Sequence, residues 1–178
     1  MILETKRLSL REMNNNDLPA LSKILQDPTI MAAYEHAFSD EEVLNWFNNQ
    51  LNRYKHFGFG LWAVILKQTG QMIGQCGLTL QDFNGMEVLE IGYLFQREFW
   101  HKGYAVESAQ GCKKYAFETL NSNDVYSIIR DTNIASINVA IRNGMTVKGR
   151  IIKHYYNIEM PHLVFSISKE KYFKDKKD

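Results

Sequence analysis

Nowhere in the 178 residues is there an apolar run long enough to span a bilayer, and the opening MILETKRLSLRE lacks the apolar core of a signal peptide. The expectation is a soluble, cytoplasmic protein with no membrane partner. Cysteine is scarce: Cys76 and Cys112 stand far apart with no C-x-x-C pair, which suits a reducing compartment. These two cysteines and the five histidines show no ligand spacing, so no metal is expected. Net charge is nearly absent, formally +1, and the basic residues are scattered. That removes the usual grounds for expecting nucleic acid. Internal repeats and low-complexity linkers are missing, as are a G-x-S-x-G elbow and any other nucleophile arrangement. What is present is 45% hydrophobic and 23% charged residues, enough for one substantial core. We expect a single domain over residues 1–170 and a mixed-charge, frayed tail over 171–178.

Local patterns divide the chain into elements. Thr5 to Glu12 alternates apolar and polar residues and predicts a half-buried strand. Asn14 to Asn16 offer cap chemistry for a helix whose apolar face is Leu18, Leu21, Ile24 and Leu25. Ser39 with Glu42 is a capping box, and the helix behind it keeps its spacing to about His56. Strands are predicted at Leu61 to Leu66, Met72 to Leu80 and Val88 to Phe95, joined by turns at 68–71 and 81–86. A helix opening at Gly103 ends near Leu120 and leads to a strand at Val125 to Arg130, which should lie parallel to its predecessor. Asn133 opens a helix closed by Asn143-Gly144, and strands at Val147 to Ile152 and His162 to Ile167 follow. The order implies an α/β fold: a mixed, mostly antiparallel, seven-stranded sheet with helices on both faces and one central parallel pair.

The stretch Val88 to Leu120 organises the rest. It reads as strand, polar loop and helix, with Trp100-His101-Lys102-Gly103-Tyr104-Ala105 at the helix start. Unpaired N–H groups, a partial positive charge, a glycine and a lysine together make an anion site suited to a phosphate or pyrophosphate. It is not the three-glycine dinucleotide fingerprint and not a P-loop. A bland alternative is that Gly103 merely relieves crowding where helix meets strand. Ligands in open α/β sheets sit at the carboxyl ends of parallel strands, where this loop falls.

Three stretches carry a family resemblance. Thr5-Lys6-Arg7-Leu8-Ser9-Leu10-Arg11 is similar to a T-x-R-L-x-L-R opening. Glu90-Ile91-Gly92-Tyr93 followed by Trp100 to Ser108 resembles a pyrophosphate loop, and Asn133 to Met145 resembles an N-x-x-S…G-F/M helix. The chain resembles a GNAT-superfamily N-acetyltransferase, of the branch containing the ribosomal-protein N-terminal acetyltransferases. That resemblance implies acetyl-CoA as cosubstrate, lying where the parallel strands splay. It implies pyrophosphate on the N–H groups of His101, Lys102, Gly103, Tyr104 and Ala105. Main-chain groups of Leu94 and Phe95 would meet the pantetheine arm, and Asn133 would hydrogen-bond it, with Asn138 counted among the cofactor-binding positions. Trp100 replaces the usual Gln or Arg three residues before the loop glycine. Ala140 stands where many relatives have a tyrosine acid.

Acetyl transfer to an amine needs a base, a polarised carbonyl and a protonated leaving thiol. Glu90, acidic in an otherwise apolar strand, is the candidate base; the alternative is that it points to the other sheet face toward a lysine or solvent. Ser136 is the candidate donor to the thiolate or carbonyl; it also suits plain helix-start chemistry. His154, Tyr155 and Tyr156, with Tyr34 and His36, fall where relatives bind the acceptor, while Trp46 and Phe47 read as core. The expected acceptor is a primary amine, on a protein N-terminus or a small molecule, including an amine-bearing antibiotic or metabolite. The expected assembly is a monomer or homodimer. A CoA-binding regulatory or interaction module that has lost turnover is the reading from another class.

Overall fold

The computed structural model describes residues 1–155 and 157–177. Tyr156, grouped above with His154 and Tyr155, lies outside the described residues, as does Asp178. Among the described residues the strands are β1 (Leu3–Glu4), β2 (Leu8–Arg11), β3 (Leu61–Leu66), β4 (Gln71–Phe83), β5 (Met86–Phe95), β6 (Asp124–Arg130), β7 (Thr146–Tyr155) and β8 (Ile158–Ser168). The helices are α1 (Leu18–Leu25), α2 (Asp40–Phe57), α3 (Tyr104–Glu118), α4 (Ile134–Arg142) and α5 (Lys169–Lys174). The strands run β1-β2-β3-β4-β5-β6-β8-β7 across one sheet. It is mixed and mostly antiparallel, and β5 and β6 form the parallel pair, registered at Glu90 opposite Tyr126.

The sheet has eight strands rather than seven. The expected strand from Thr5 to Glu12 is shortened to β2, and a further strand, β1, precedes it, paired as Leu3 opposite Leu10. The interruption has a physical cause. Thr5 N–H turns back to the Leu8 carbonyl at 2.9 Å, and the Arg7 N–H is taken by the carboxylate of Glu107 at 2.7 Å. Those groups are lost to a ladder, so no strand continues through them.

Packing divides the chain into two compact units. The first comprises Met1–Thr79 and Gly92–Cys112. Its core is the apolar face of α1 and α2 (Leu21, Ile24, Leu25, Val43 and Phe47) against Ala63 of β3 and Met72 of β4. Trp46 is half-buried and packs on the same core, as its spacing predicts. The Ser39 capping box forms, with Ser39 Oγ accepting from Glu42 N–H and the Glu42 carboxylate accepting from Ser39 N–H. Gly58, at φ 75°, closes the helix. Near its C-terminal end α2 is pinned to β3: Gln50 Oε1 accepts from Leu61 N–H at 3.0 Å, and the Tyr54 hydroxyl donates to the Leu61 carbonyl. Gly77 has no room for anything larger, since a Cβ there would lie 2.0 Å from the Gly60 carbonyl oxygen.

The second unit comprises Leu80–Ile91 and the chain from Lys113 on. Val88, Ile128 and Val164 form a core cluster with Phe83, Tyr126 and Ile151 around it. The turn between β4 and β5 is only Asn84-Gly85, at φ 53° and 78°, so the strands reach further into polar sequence than 81–86 suggested. A two-residue turn with both φ positive matches strand twist best. The expected frayed tail is a second correction. Lys169–Lys174 is helix α5, capped by Ser168, and Tyr172 is buried with its ring stacked on Phe117 at 4.9 Å. One buried aromatic is enough to dock so short a helix.

Candidate functional site

The loop before α3 is built by residues from three places in the first unit. His101 has φ 60° and Gly103 φ 78°. Successive residues that alternate into the left-handed region turn their N–H groups to one side, the geometry of an anion-binding concavity. Glycine adopts that conformation freely, so its backbone, rather than crowding, explains Gly103: a Cβ there would meet only the Arg7 guanidinium, at 3.4 Å. For His101 the left-handed region costs about 1–2 kcal/mol, so the surroundings must hold the loop. His101, Lys102 and Gly103 are exposed, and Tyr104 and Ala105 are half-buried at the start of the helix.

What holds the loop is the opening motif. Arg7 Nη1 donates to the Lys102 carbonyl at 2.9 Å, and its guanidinium lies 4.4 Å above the Tyr104 ring. Arg7 is itself oriented by Glu107, in the first turn of α3, through Nε to Oε2 at 2.6 Å. Thr5 Oγ1 donates to the same carboxylate at 2.6 Å. Burial alone would raise the Glu107 pKa; the bonds from Thr5 and Arg7 outweigh it, and the carboxyl is held below its ordinary range. Leu8 and Leu10 are fully buried, and Arg11 makes a two-pronged pair with Asp17 at 2.7 and 2.8 Å. The motif is thus a buckle: Thr5 and Arg7 tie it to α3, Arg7 also to the loop, and Arg11 to Asp17. On the other flank, Trp100 Nε1 donates to the Phe95 carbonyl at 2.9 Å. Trp100 therefore pins the loop to the end of β5.

Leu94 and Phe95 end β5 against Gly74, where a Cβ would lie 2.7 Å from the Leu94 carbonyl oxygen and 2.5 Å from the Phe95 ring. The Phe95 carbonyl carries the Trp100 bond, so one lone pair of that main-chain group is already committed.

Glu90 and Ser136 belong to the second unit. Glu90 is half-buried, and its Oε1 accepts from the Ile128 N–H of β6 at 3.0 Å. Beside it, Ser127 Oγ donates to the Ile91 carbonyl at 3.1 Å. Side chains here bridge β5 and β6 in addition to the backbone. Asn133 is the N-cap of α4, its Oδ1 accepting from Ser136 N–H at 3.1 Å. The capping role considered for Ser136 falls to Asn133. Ser136 is half-buried, Asn138 is exposed on α4, and Ala140 is buried.

The acceptor candidates fall into two groups. In the first unit Tyr34 meets Trp46 edge-on at 6.0 Å, Phe38 meets Trp46 at 5.8 Å, and His36 Nε2 lies 2.8 Å from Glu42 Oε1. In the second, His154 and Tyr155 are exposed at the end of β7, opposite Glu159 and Ile158. Among the described residues no group of three or more His, Cys, Asp or Glu is arranged to hold a metal, and no helix is long and apolar enough to cross a membrane. Sequence reasoning did not assign Thr5, Arg7 and Glu107 to the loop. The only signal was an acidic residue in the first turn of a helix, which by itself suits the helix dipole.

Comparison with known proteins agrees with this geometry. Residues 7–146 match the family described as acetyltransferase (GNAT) domain. The uncharacterized protein YkkB of Bacillus subtilis (strain 168) is 36% identical over 144 residues, 80% of this chain and 84% of that one. An uncharacterized N-acetyltransferase, p20 of Bacillus licheniformis, is 27% identical over 190 residues, 96% of this chain and 97% of its own. A GNAT-family acetyltransferase crystal structure from Bacillus anthracis superposes with a TM-score of 0.80 at 25% identity, covering 96% of this chain and 99% of that one. A family match over most of the length, including both the buckle and the loop that it holds, decides the assignment: the chain belongs to the acetyltransferase (GNAT) domain family.

Proposed function

We propose that this chain transfers acetyl from acetyl-CoA directly to a primary amine, on a protein N-terminus or a small molecule. The observation that carries the reading is the loop of residues 101–105, with left-handed backbone at His101 and Gly103 and the Arg7–Glu107 buckle behind it. These residues fit a pyrophosphate: helix N–H groups, a glycine at the closest approach, and the exposed cation of Lys102. Leu94 and Phe95 offer main-chain groups to the pantetheine arm. Asn133 uses its Oδ1 for the helix cap, which leaves its amide NH2 as the donor for pantetheine carbonyls; Asn138, exposed on the same helix, is a further polar contact.

Acetyl-CoA supplies the activated acyl group: its carbon–sulfur bond breaks as the carbon–nitrogen bond forms. The amine must lose a proton, and Glu90 is the residue of β5 that can take it, directly or through water. Its bond from Ile128 N–H holds the carboxylate in place beside β6. Ser136 is the hydroxyl proposed to meet the developing thiolate. Tyr34, His36, His154 and Tyr155 are the acceptor-side candidates. Cys76 and Cys112, kept as thiols, suit a reducing cytoplasm.

The test is calorimetric titration with acetyl-CoA followed by thiol release against amines and N-terminal peptides. Binding with release supports the reading, and no binding sinks it. Binding without release from any acceptor would favour a non-catalytic CoA-binding module. Gly103→Ala, which keeps the loop short but makes its left-handed turn cost about 1–2 kcal/mol, should weaken acetyl-CoA affinity about tenfold. Glu90→Gln should lower the rate while affinity for acetyl-CoA holds.

A further inference from the structure

In the second unit, two side chains stand where the parallel pair would place a backbone bond. Among the described residues β5 and β6 register at Glu90 opposite Tyr126. Bonds in a parallel ladder follow at even spacing, so the next would run from the Ile128 N–H to the Ile91 carbonyl. Each of those groups is held by a side chain instead. The Ile128 N–H donates to Glu90 Oε1 at 3.0 Å, and the Ile91 carbonyl accepts from Ser127 Oγ at 3.1 Å. Ile91, Ser127 and Ile128 are all buried, so each polar group must find its partner inside the protein.

The placement of the two side chains explains how this works. Residues opposite each other in a ladder share a sheet face, and neighbours along a strand point to opposite faces. Glu90 therefore leaves the sheet on the same face as Tyr126, and Ser127 leaves it on the other. Each curls back to the main chain of the facing strand, so the position of the next rung is clasped from both sides. An N–H and a carbonyl stay paired while the strands lose the bond that would draw them together. A serine hydroxyl meeting a main-chain carbonyl can only donate, so Ser127 competes directly with the N–H that the ladder would supply.

We propose that Ser127 is a positioning residue for acetyl-CoA: by taking the Ile91 carbonyl it stops the parallel ladder there and leaves the later main chain of β5 for the pantetheine arm. The proposal rests on the acetyl-transfer reading and adds to it the residue that keeps the cofactor's place open. Without the hydroxyl, the partner a parallel ladder offers the Ile91 carbonyl is the Ile128 N–H, and the strands close by one rung. Glu90 is the other half of the clasp. Its Gln variant still carries an acceptor oxygen, which is why affinity for acetyl-CoA should hold there.

The experiment measures acetyl-CoA affinity by calorimetry, and the Tm of the protein alone, for the unaltered chain, Ser127→Ala and Ser127→Thr. Ser127→Ala should lose about tenfold in affinity, the worth of one hydrogen bond. Its Tm should stay within about 3 °C, because the freed carbonyl passes to the rung. Ser127→Thr, which keeps the hydroxyl, should bind as the unaltered chain does. A hydrogen bond that is only structural behaves in the opposite way: its loss leaves a buried carbonyl unmet and lowers Tm with affinity intact. An affinity within about twofold in Ser127→Ala, a Tm fall beyond about 3 °C, or an equal affinity loss in Ser127→Thr overturns the positioning role and leaves acetyl transfer standing. Failure of the unaltered chain to bind acetyl-CoA overturns the acetyl-transfer reading, and the positioning role with it.

Discussion

Replacing Glu107 with Gln tests whether the opening motif acts on the loop or merely decorates a helix. The carboxylate collects bonds from Thr5 Oγ1 at 2.6 Å, Arg7 N–H at 2.7 Å and Arg7 Nε at 2.6 Å. A hydrogen bond to a charged group contributes about 1.5–3 kcal/mol when shielded from solvent. The Arg7 side chain is 41% exposed, so its ion pair is discounted to about 0.5 kcal/mol for screening. Glutamine keeps one acceptor oxygen, so the expected loss is about 2 kcal/mol in urea unfolding at pH 7. A cycle with Arg7→Gln should give a coupling of about 1 kcal/mol, because both residues lie in one network. Acetyl-CoA affinity should fall about tenfold in either single variant and scarcely further in the double. Additive stabilities, or an unchanged affinity, would refute the buckle. The pH dependence follows with a definite sign. A carboxyl whose folded pKa is depressed stabilises above its unfolded value, near about 4.3, and that contribution is lost as pH falls through the folded value. The Gln variant should not show this loss.

Three further outcomes are expected. Tyr172→Ala should cost about 3 kcal/mol in urea unfolding, since its ring is buried against Phe117; a loss below about 1 kcal/mol would mean that α5 only rests on the surface. Cys76 and Cys112 lie with their sulfurs 3.5 Å apart, both fully buried, and burial followed by the Cys76 contact pushes the Cys112 thiol up. Neither should react with a thiol reagent in native protein at pH 8, both should after unfolding, and fast native labelling would contradict the packing of α3 on β4. Gly77→Ala should destabilise by about 3 kcal/mol, because its methyl would collide with the Gly60 carbonyl; a neutral effect by thermal melting would show that β3 and β4 can part at little cost.

Features set by neighbours in sequence were legible. The Ser39 capping box, the Asn143-Gly144 stop, the bounds of β3 and the parallel sense of β5 and β6 all depend on local chemistry or connection length. Features set by distant partners were not. The break at Thr5 to Arg7 requires Glu107, and the docking of KEKYFK requires Phe117. At the candidate site, Gly103 and Asn133 could be picked out because glycine and asparagine mark special backbone. Arg7, Glu107 and Ser127 have ordinary local settings, and their significance appears only through Lys102, Thr5 and the Ile91 carbonyl.

The buckle also bears on the order in which the molecule assembles. Arg7 and Glu107 are 100 positions apart, and closing a loop of that length costs roughly 4 kcal/mol of chain entropy before any bond repays it. The hairpin of β1 and β2 is local and can form early; the left-handed turn at His101 has only the local Trp100–Phe95 bond to steady it until the ends of this long loop have met. Ligand-binding competence should therefore be acquired late in refolding, after most helical signal has returned, and a chain paused during synthesis before Glu107 emerges would hold Arg7 ready with nothing to grip.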